Sequence, residues 1–385
     1  MDRRHFLAAS SAVLLAPEAL AKSAPDDRWS KDFDSFIVNG LANTTTPGMA
    51  VAMLRGSRTI LCRGYGYADV ENARRVTPDT VFQIASVSKT VTATAMMMLW
   101  QDGAFQLDDP VAPHLDFGVR HPKFPHVPIT FRHLFTHTSG ISDAVYDGLD
   151  FASRPVPALR DFLAGYLSPG GRWYDPEKSY SALEPGTAWS YSNVGVALLG
   201  YIAGRVNPQP LDALTQARLF QPLGMRSTAW RYAGIPENTL ALPYAFKDRH
   251  YRRLPRAAYP DWPAGLLCTS ANDFAKFLAI YTQAGQASGH FLKAETIAAM
   301  FTPDRVLPHK AKPHFRQGLI WELAPLKNDQ VALHSGGDPG STTLAAIDRD
   351  QNTAALAFAN RSPAEEMAQL KKEVVQRLLE RASAA

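Results

Sequence analysis

Ser86-Val87-Ser88-Lys89 is the one Ser-x-x-Lys in this chain of 385 residues. A serine hydroxyl alone is a poor nucleophile and needs an adjacent base. Residues three apart on a helix share a face, so a helix beginning here sets Lys89 beside the Ser86 hydroxyl. Burial disfavours the charged form of an amine. A lysine in a crowded, partly dry site therefore accepts the serine proton at neutral pH. The motif lies where an apolar, strand-like run from Val81 to Ala85 gives way to an alanine- and methionine-rich helical run from Thr90 to Trp100.

Two further groups of residues complete a possible acyl-transfer site. Tyr191-Ser192-Asn193 is the one Tyr-x-Asn in the chain and follows a turn at Glu184–Trp189. A nearby ammonium favours the charged form of a phenol, which makes Tyr191 a candidate to pass protons between Ser86 and a leaving group. Asn193 is a candidate to hold an ester or amide carbonyl. His334-Ser335-Gly336-Gly337 closes a strand-like run, and its glycines let a substrate backbone approach closely. The Gly337 amide, paired with that of Ser86, makes an expected oxyanion hole, a device that usually supplies the largest single contribution to acyl transfer.

These residues need a scaffold that joins both ends of the chain. Met49–Leu54 and Thr59–Gly64 read as a hairpin around the turn Arg55-Gly56-Ser57-Arg58. Strand-like runs return at Gln317–Leu323, Gln330–His334, Thr342–Ile347 and Thr353–Ala359, separated by turn residues. Ser362-Pro363-Ala364-Glu365 reads as a capping box, opening a last helix with Leu370, Val374, Val375, Leu378 and Leu379 on one stripe. Between the two strand sets the pattern is helical and rich in loops, with helices expected at 90–101, 157–167, 194–205 and 211–219. The expected division is a sheet lobe from residues 22–89 and 230–385 and a helical lobe from 90–229, with Ser86 at their junction.

The composition, 46% hydrophobic and 20% charged, is that of an ordinary globular protein. A formal net charge of +4 without a Lys/Arg-rich block gives no support for nucleic-acid binding. Arg3-Arg4-His5-Phe6-Leu7, an apolar run to Ala16 and a small-x-small site at Ala19-Leu20-Ala21 read as an export signal over residues 1–21. The Arg-Arg-x-Phe-Leu order is similar to a twin-arginine signal, and the run is too short for a stable membrane anchor. The expected location is the periplasm or the medium. Cys62 and Cys268 both lie in apolar, strand-like surroundings, where free thiols are common. His133 and His137 have the i, i+4 spacing of a zinc pair, but Leu134 stands where zinc proteases carry Glu. No metal and no cofactor are expected.

Taken together, Ser86-x-x-Lys89, Tyr191-x-Asn193 and His334-x-Gly336 resemble the serine β-lactamase and penicillin-binding superfamily. The resemblance is to its class C branch, with the family VIII-type esterases and the D-aminopeptidase and DD-peptidase relatives. His133-Leu-Phe-Thr-His137-Thr-Ser-Gly140, Glu184-Pro-Gly-Thr187, Pro222-Leu-Gly-Met225 and Ala264-Gly265-Leu266 match the same branch, and the similarity spans about residues 30 to 380. It implies an α+β fold of the β-lactamase/transpeptidase type, an antiparallel sheet flanked by helices with an inserted, mostly helical lobe. It implies that Ser86 is acylated while Lys89 and Tyr191 shuttle protons, and that Asn193, His334, Ser335, Gly336 and Gly337 contact substrate. The third motif of lactamases and DD-peptidases usually begins with Lys, and here it begins with His334. Histidine is mostly neutral at pH 7 and suits a substrate carboxylate less well; Arg361 is a candidate to supply that charge instead. The expected substrate is a small ester, a peptide or a cell-wall-derived group, cleaved by a serine hydrolase. A class C-type β-lactamase, an acyltransferase and a non-catalytic binding protein for wall fragments are the alternatives.

Overall fold

The hairpin expected around Arg55–Arg58 forms part of the main sheet, toward one edge. Strand β1 (Gly48–Arg55) pairs antiparallel with β2 (Arg58–Asp69), Ala52 lying opposite Cys62. Residues 27–147, 155–232, 234–282, 291–304, 314–326 and 329–385 of the computed structural model are described; the export signal expected at 1–21 lies outside them.

Strand β3 (Arg74–Arg75) extends the sheet beyond β2. A second small sheet joins β4 (Val81–Gln83), β5 (Ala229–Trp230) and β8 (Leu267–Ser270), and β6 (Tyr244–Lys247) with β7 (His250–Arg253) forms a separate hairpin. The C-terminal half adds β9 (Arg316–Gln317), β10 (Glu322–Leu326), β11 (Asp329–Asp338), β12 (Ser341–Asp348) and β13 (Thr353–Ala359). The large sheet has the order β3-β2-β1-β13-β12-β11-β10-β9, so the chain ends meet where Met49 pairs with Ala359.

Strand β1 reads Met-Ala-Val-Ala-Met-Leu without polar alternation because both faces are covered. Met49, Val51 and Met53 pack with Phe33 and Ile37 of α1 (Asp27–Asn43) and with Leu370, Val374 and Leu378 of α9 (Glu365–Ala384). Ala50, Ala52 and Leu54 face the other core, which contains Phe274 and Phe277 of α7 (Ala271–Thr282). The intervening chain carries α2 (Ser88–Gln101), α3 (Phe131–Phe135), α4 (Leu159–Leu167), α5 (Asn193–Val206) and α6 (Leu211–Thr215), the last continuing into a π turn at Gln216–Phe220. Helix α8 (Ala294–Phe301) follows α7. Both α2 and α5 are buried along nearly their whole length.

Three local expectations are corrected. Residues 317–323 are not one strand: Ile320 has φ +69°, and the Gly318 amide donates to the Trp321 carbonyl, so a turn separates β9 from β10. The run from Val81 leaves the sheet at Gln83, because Ala85 takes φ +47° and the chain enters a short 3-10 turn at Ala85–Val87. The Ser362 capping box does not form. The Ser362 hydroxyl accepts from the Gly340 amide and donates to the Tyr244 carbonyl, leaving α9 to begin after Ala364 without a side-chain cap.

Candidate active site

The turn carrying Ser86 is held on two sides. The Ile84 amide donates to the Leu267 carbonyl, and the Ser88 hydroxyl accepts from the Leu267 amide at 3.0 Å. From β12, the hydroxyls of Ser341 and Thr343 donate to the carbonyls of Gln83 and Ile84 at 2.6 and 2.8 Å. Left-handed backbone at a residue with a side chain costs of order 1–3 kcal/mol and persists only where surroundings over-determine it. Ala85 meets that condition, and Ser86 is presented half-buried at the start of α2.

Lys89, one turn on, is fully buried. Its Nζ donates to Ser86 Oγ at 3.1 Å, Asn193 Oδ1 at 2.7 Å and the Ala264 carbonyl at 2.6 Å. Burial lowers its pKa to about 8, against the opposing pull of Asp261, Asp143 and Asp338. An amine with that pKa is a competent base near neutrality.

Tyr191 lies beside Ser86, which draws its hydroxyl pKa down, and its ring lies 4.9 Å from Lys89 Nζ. The ammonium was expected to favour the phenolate. Burial dominates instead and pushes the Tyr191 hydroxyl far up, with only the neighbouring Ser86 side chain pulling the other way among its chief influences. Tyr191 is therefore a neutral phenol at pH 7, able to relay a proton but not standing ready as an anion. His137 packs against it with ring centroids 4.5 Å apart, and its Nδ1 accepts from the Ser192 amide at 3.2 Å. Burial drives His137 well below the ordinary imidazole pKa, followed by the effects of Lys89 and His334. His133 closes a capping box with Thr130 at the start of α3. The two histidines thus serve separate turns.

The start of α5 is tied down by a carboxylate that the sequence reading did not single out. Asp143 accepts from the amides of Asn193 and Val194 at 2.8 and 3.1 Å, from Asn193 Nδ2 at 2.9 Å and from the Ser192 hydroxyl at 3.2 Å. Ser192 is also the N-cap, accepting from the Gly195 amide at 2.8 Å. Asp143 sits where a helix N-terminus favours negative charge, and it turns the Asn193 side-chain oxygen toward Lys89. Asp143→Ala strands buried N–H donors, each costing about 1–3 kcal/mol when unpaired. Relief of its own burial offsets part of this, so urea unfolding is expected to show a loss of about 2–3 kcal/mol, with Asp143→Asn losing less. An unfolding midpoint equal to that of the parent protein would contradict this account of α5.

A cavity of about 410 Å³ opens beside Ser86, lined by Asn193, Gly337 and Asp338 and by the segment around Arg256, Tyr259 and Asp261. A Cβ at Gly336 would come within 2.2 Å of Thr343 Oγ1 and 2.6 Å of the Ile84 carbonyl, so only glycine lets β11 lie against the Ser86 turn. Gly337 and Ser335 are exposed. His334 is 1% exposed, and its Nδ1 lies 2.9 Å from the Ser335 carbonyl, so its ring is not part of the cavity wall. Arg361 is also away from that wall, buried and bonded to Glu366. The structure thus gathers Ser86, Lys89, Tyr191, Asn193 and Gly337, and sets the side chains of His334 and Arg361 outside the cavity lining. Asp143, Asp261 and Tyr259 carry no motif spacing that marks them in the sequence. Asp338 directly follows the glycines, and that adjacency was its one signal. Both cysteines are free thiols.

The chain is similar to known proteins along most of its length. The family model described as Beta-lactamase matches residues 33–380. The chain is 26% identical to the Escherichia coli (strain K12) D-alanyl-D-alanine-carboxypeptidase/endopeptidase AmpH, over 92% of this chain and 91% of that protein. It is 33% identical to Esterase EstB of Burkholderia gladioli, over 61% of this chain and 59% of that protein. A Bacillus subtilis penicillin-binding relative is matched over 64% of its own length, also under two thirds. The octameric penicillin-binding protein homologue from Pyrococcus abyssi superposes with a TM-score of 0.78 at 25% identity, covering 91% of this chain and 77% of that one.

Proposed function

The chain belongs to the β-lactamase family, and from that premise we propose that it is a serine hydrolase that cleaves small esters or peptide-like amides through an acyl-enzyme on Ser86. The observation that carries the reading is the contact of Lys89 Nζ with Ser86 Oγ at 3.1 Å in a site where burial brings the amine to about 8. Neutral Lys89 takes the Ser86 proton as Oγ attacks the substrate carbonyl. The backbone amides of Ser86 and Gly337 receive the developing oxyanion. Tyr191, beside Ser86, relays the proton to the leaving group, and water then releases the acyl group by the reverse path.

The test is initial rates with p-nitrophenyl butyrate and nitrocefin side by side. We expect Ser86-dependent ester turnover and slow or absent nitrocefin cleavage, because the cavity lining offers no lysine to a substrate carboxylate and His334 is buried. Fast nitrocefin turnover would make the enzyme a β-lactamase in practice. Product analysis with added alcohols separates hydrolysis from acyl transfer.

The pH dependence has a definite sign. The base is the unprotonated amine, so kcat/KM for the ester should rise with pH through about 8 and level off above it. Below that value it should fall about tenfold per pH unit. A profile flat from pH 6 to 9 would contradict Lys89 as the base.

We place the enzyme outside the cytoplasm, on the strength of residues 3–21. No helix among the described residues is long and apolar enough to cross a membrane. N-terminal sequencing of protein from an export-competent host should find a chain starting near residue 22; an intact start at Met1 would count against export.

A further inference from the structure

We propose that the cavity beside Ser86 is a subsite for a protonated amine carried by the substrate, recognised by the carboxylates of Asp338 and Asp261. The inference rests on the serine hydrolase reading and narrows it to cationic, amine-bearing esters or amides.

Both carboxylates line the same cavity as Ser86. Asp338 is partly exposed, and its Oδ2 accepts from the Tyr259 hydroxyl at 2.7 Å and Gln83 Nε2 at 2.8 Å. These bonds fix the carboxylate in place. Asp261 is 3% exposed, and its Oδ2 accepts from the Tyr146 hydroxyl. Its Oδ1 has no hydrogen-bond partner among the described residues. A buried, half-satisfied carboxylate is costly unless a cation compensates it.

The cations at hand are already engaged. Lys89 donates to three oxygens, none of them a carboxylate. Arg256, also in the wall, is held by both oxygens of Glu237. Among the described residues, the charged groups in the wall are thus two carboxylates, Asp338 and Asp261, and one cation, Arg256, which Glu237 already pairs. A net negative, partly dry pocket attracts an ammonium and repels a carboxylate. An ammonium brings three donors, enough to reach Asp338 directly while Asp261 contributes its charge. Burial raises both carboxyl groups, Asp261 to about 6, and an arriving ammonium would pull both back toward the ionised form.

The experiment compares alanine methyl ester, in both enantiomers, with methyl 2-methylpropanoate, which replaces the ammonium by a methyl group of similar size. At pH 7 the intact enzyme should favour at least one alanine ester by about tenfold or more in kcat/KM, and Asp338→Asn should shrink that ratio to about threefold or less. In the same preparation, butylammonium should inhibit p-nitrophenyl butyrate turnover more strongly than 1-butanol at equal concentration. This second reading needs no variant and decides the matter if Asp338→Asn does not fold. Equal rates for the two ester types, equal inhibition by amine and alcohol, or a preference untouched in folded Asp338→Asn would overturn the inference. If p-nitrophenyl butyrate is turned over in a Ser86-dependent way without any amine preference, this inference alone fails. If no Ser86-dependent turnover occurs on any ester, both readings fall.

Discussion

Ser86→Ala is expected to reduce kcat for p-nitrophenyl butyrate by at least about 10⁴-fold, since removing the nucleophile of such a unit leaves only the residual effect of binding and oxyanion stabilisation. The fold should be little affected. Ser86 is half-buried, and the bonds that hold the turn come from the Ile84 amide and from Ser88, Ser341 and Thr343. Lys89 keeps its bonds to Asn193 and the Ala264 carbonyl in the variant. The stability change should stay within about 1 kcal/mol. Activity is therefore expected to vanish from a protein whose thermal unfolding is nearly that of the parent. Retention of a tenth of the ester activity would remove Ser86 from the reaction.

Lys89→Met is the second large effect. Methionine fills the same stem without a proton acceptor, and general base assistance is commonly worth about 10²–10⁴-fold. Here the loss should lie near the top of that range. The remaining groups around Ser86 Oγ do not replace the base: burial raises Tyr191 far above neutrality, and Asn193 has no titratable proton. The variant should also lose the rise of activity through about pH 8, because the titrating group is gone. Its residual rate should be nearly level over that range. A variant that keeps the same limb would assign that limb to another group and contradict Lys89 as the base.

Much of this was legible in the sequence, for identifiable reasons. The hairpin over β1 and β2 announced itself because a turn of Arg55-Gly56-Ser57-Arg58 separates two apolar runs. The union of chain ends followed from strand signals at both termini with helices between. Ser86 and Lys89 were readable because catalysis fixes their separation on one helical turn. What escaped depends on long-range packing. Asp143 acts on α5 from 50 residues away, through backbone amides that leave no trace in composition. Asp261 and Tyr259 reach the cavity from a loop without periodicity. The direction of the Tyr191 shift was misread because the sequence shows a neighbouring ammonium but not the burial that outweighs it. Ser362 looked like a cap because its spacing to Glu365 is right; its hydroxyl is already used between Gly340 and Tyr244.

The carboxylates around Lys89 explain how one amine can be both buried and reactive. Burial lowers its affinity for a proton, and Asp261, Asp143 and Asp338 hold that drop to about 8. Without them the amine would fall further and its basicity with it. The same groups leave the cavity negative, which links the base's strength to the charge of the substrate the site prefers.

The most direct test of a nucleophilic Ser86 is covalent capture. Folded protein is treated with a fluorophosphonate, and intact mass and peptide mapping follow. One phosphonyl group should be added per chain, on the peptide containing Ser86, and Ser86→Ala should gain none. A protein that turns over esters yet stays unlabelled, or that carries the adduct on another residue, would contradict the account.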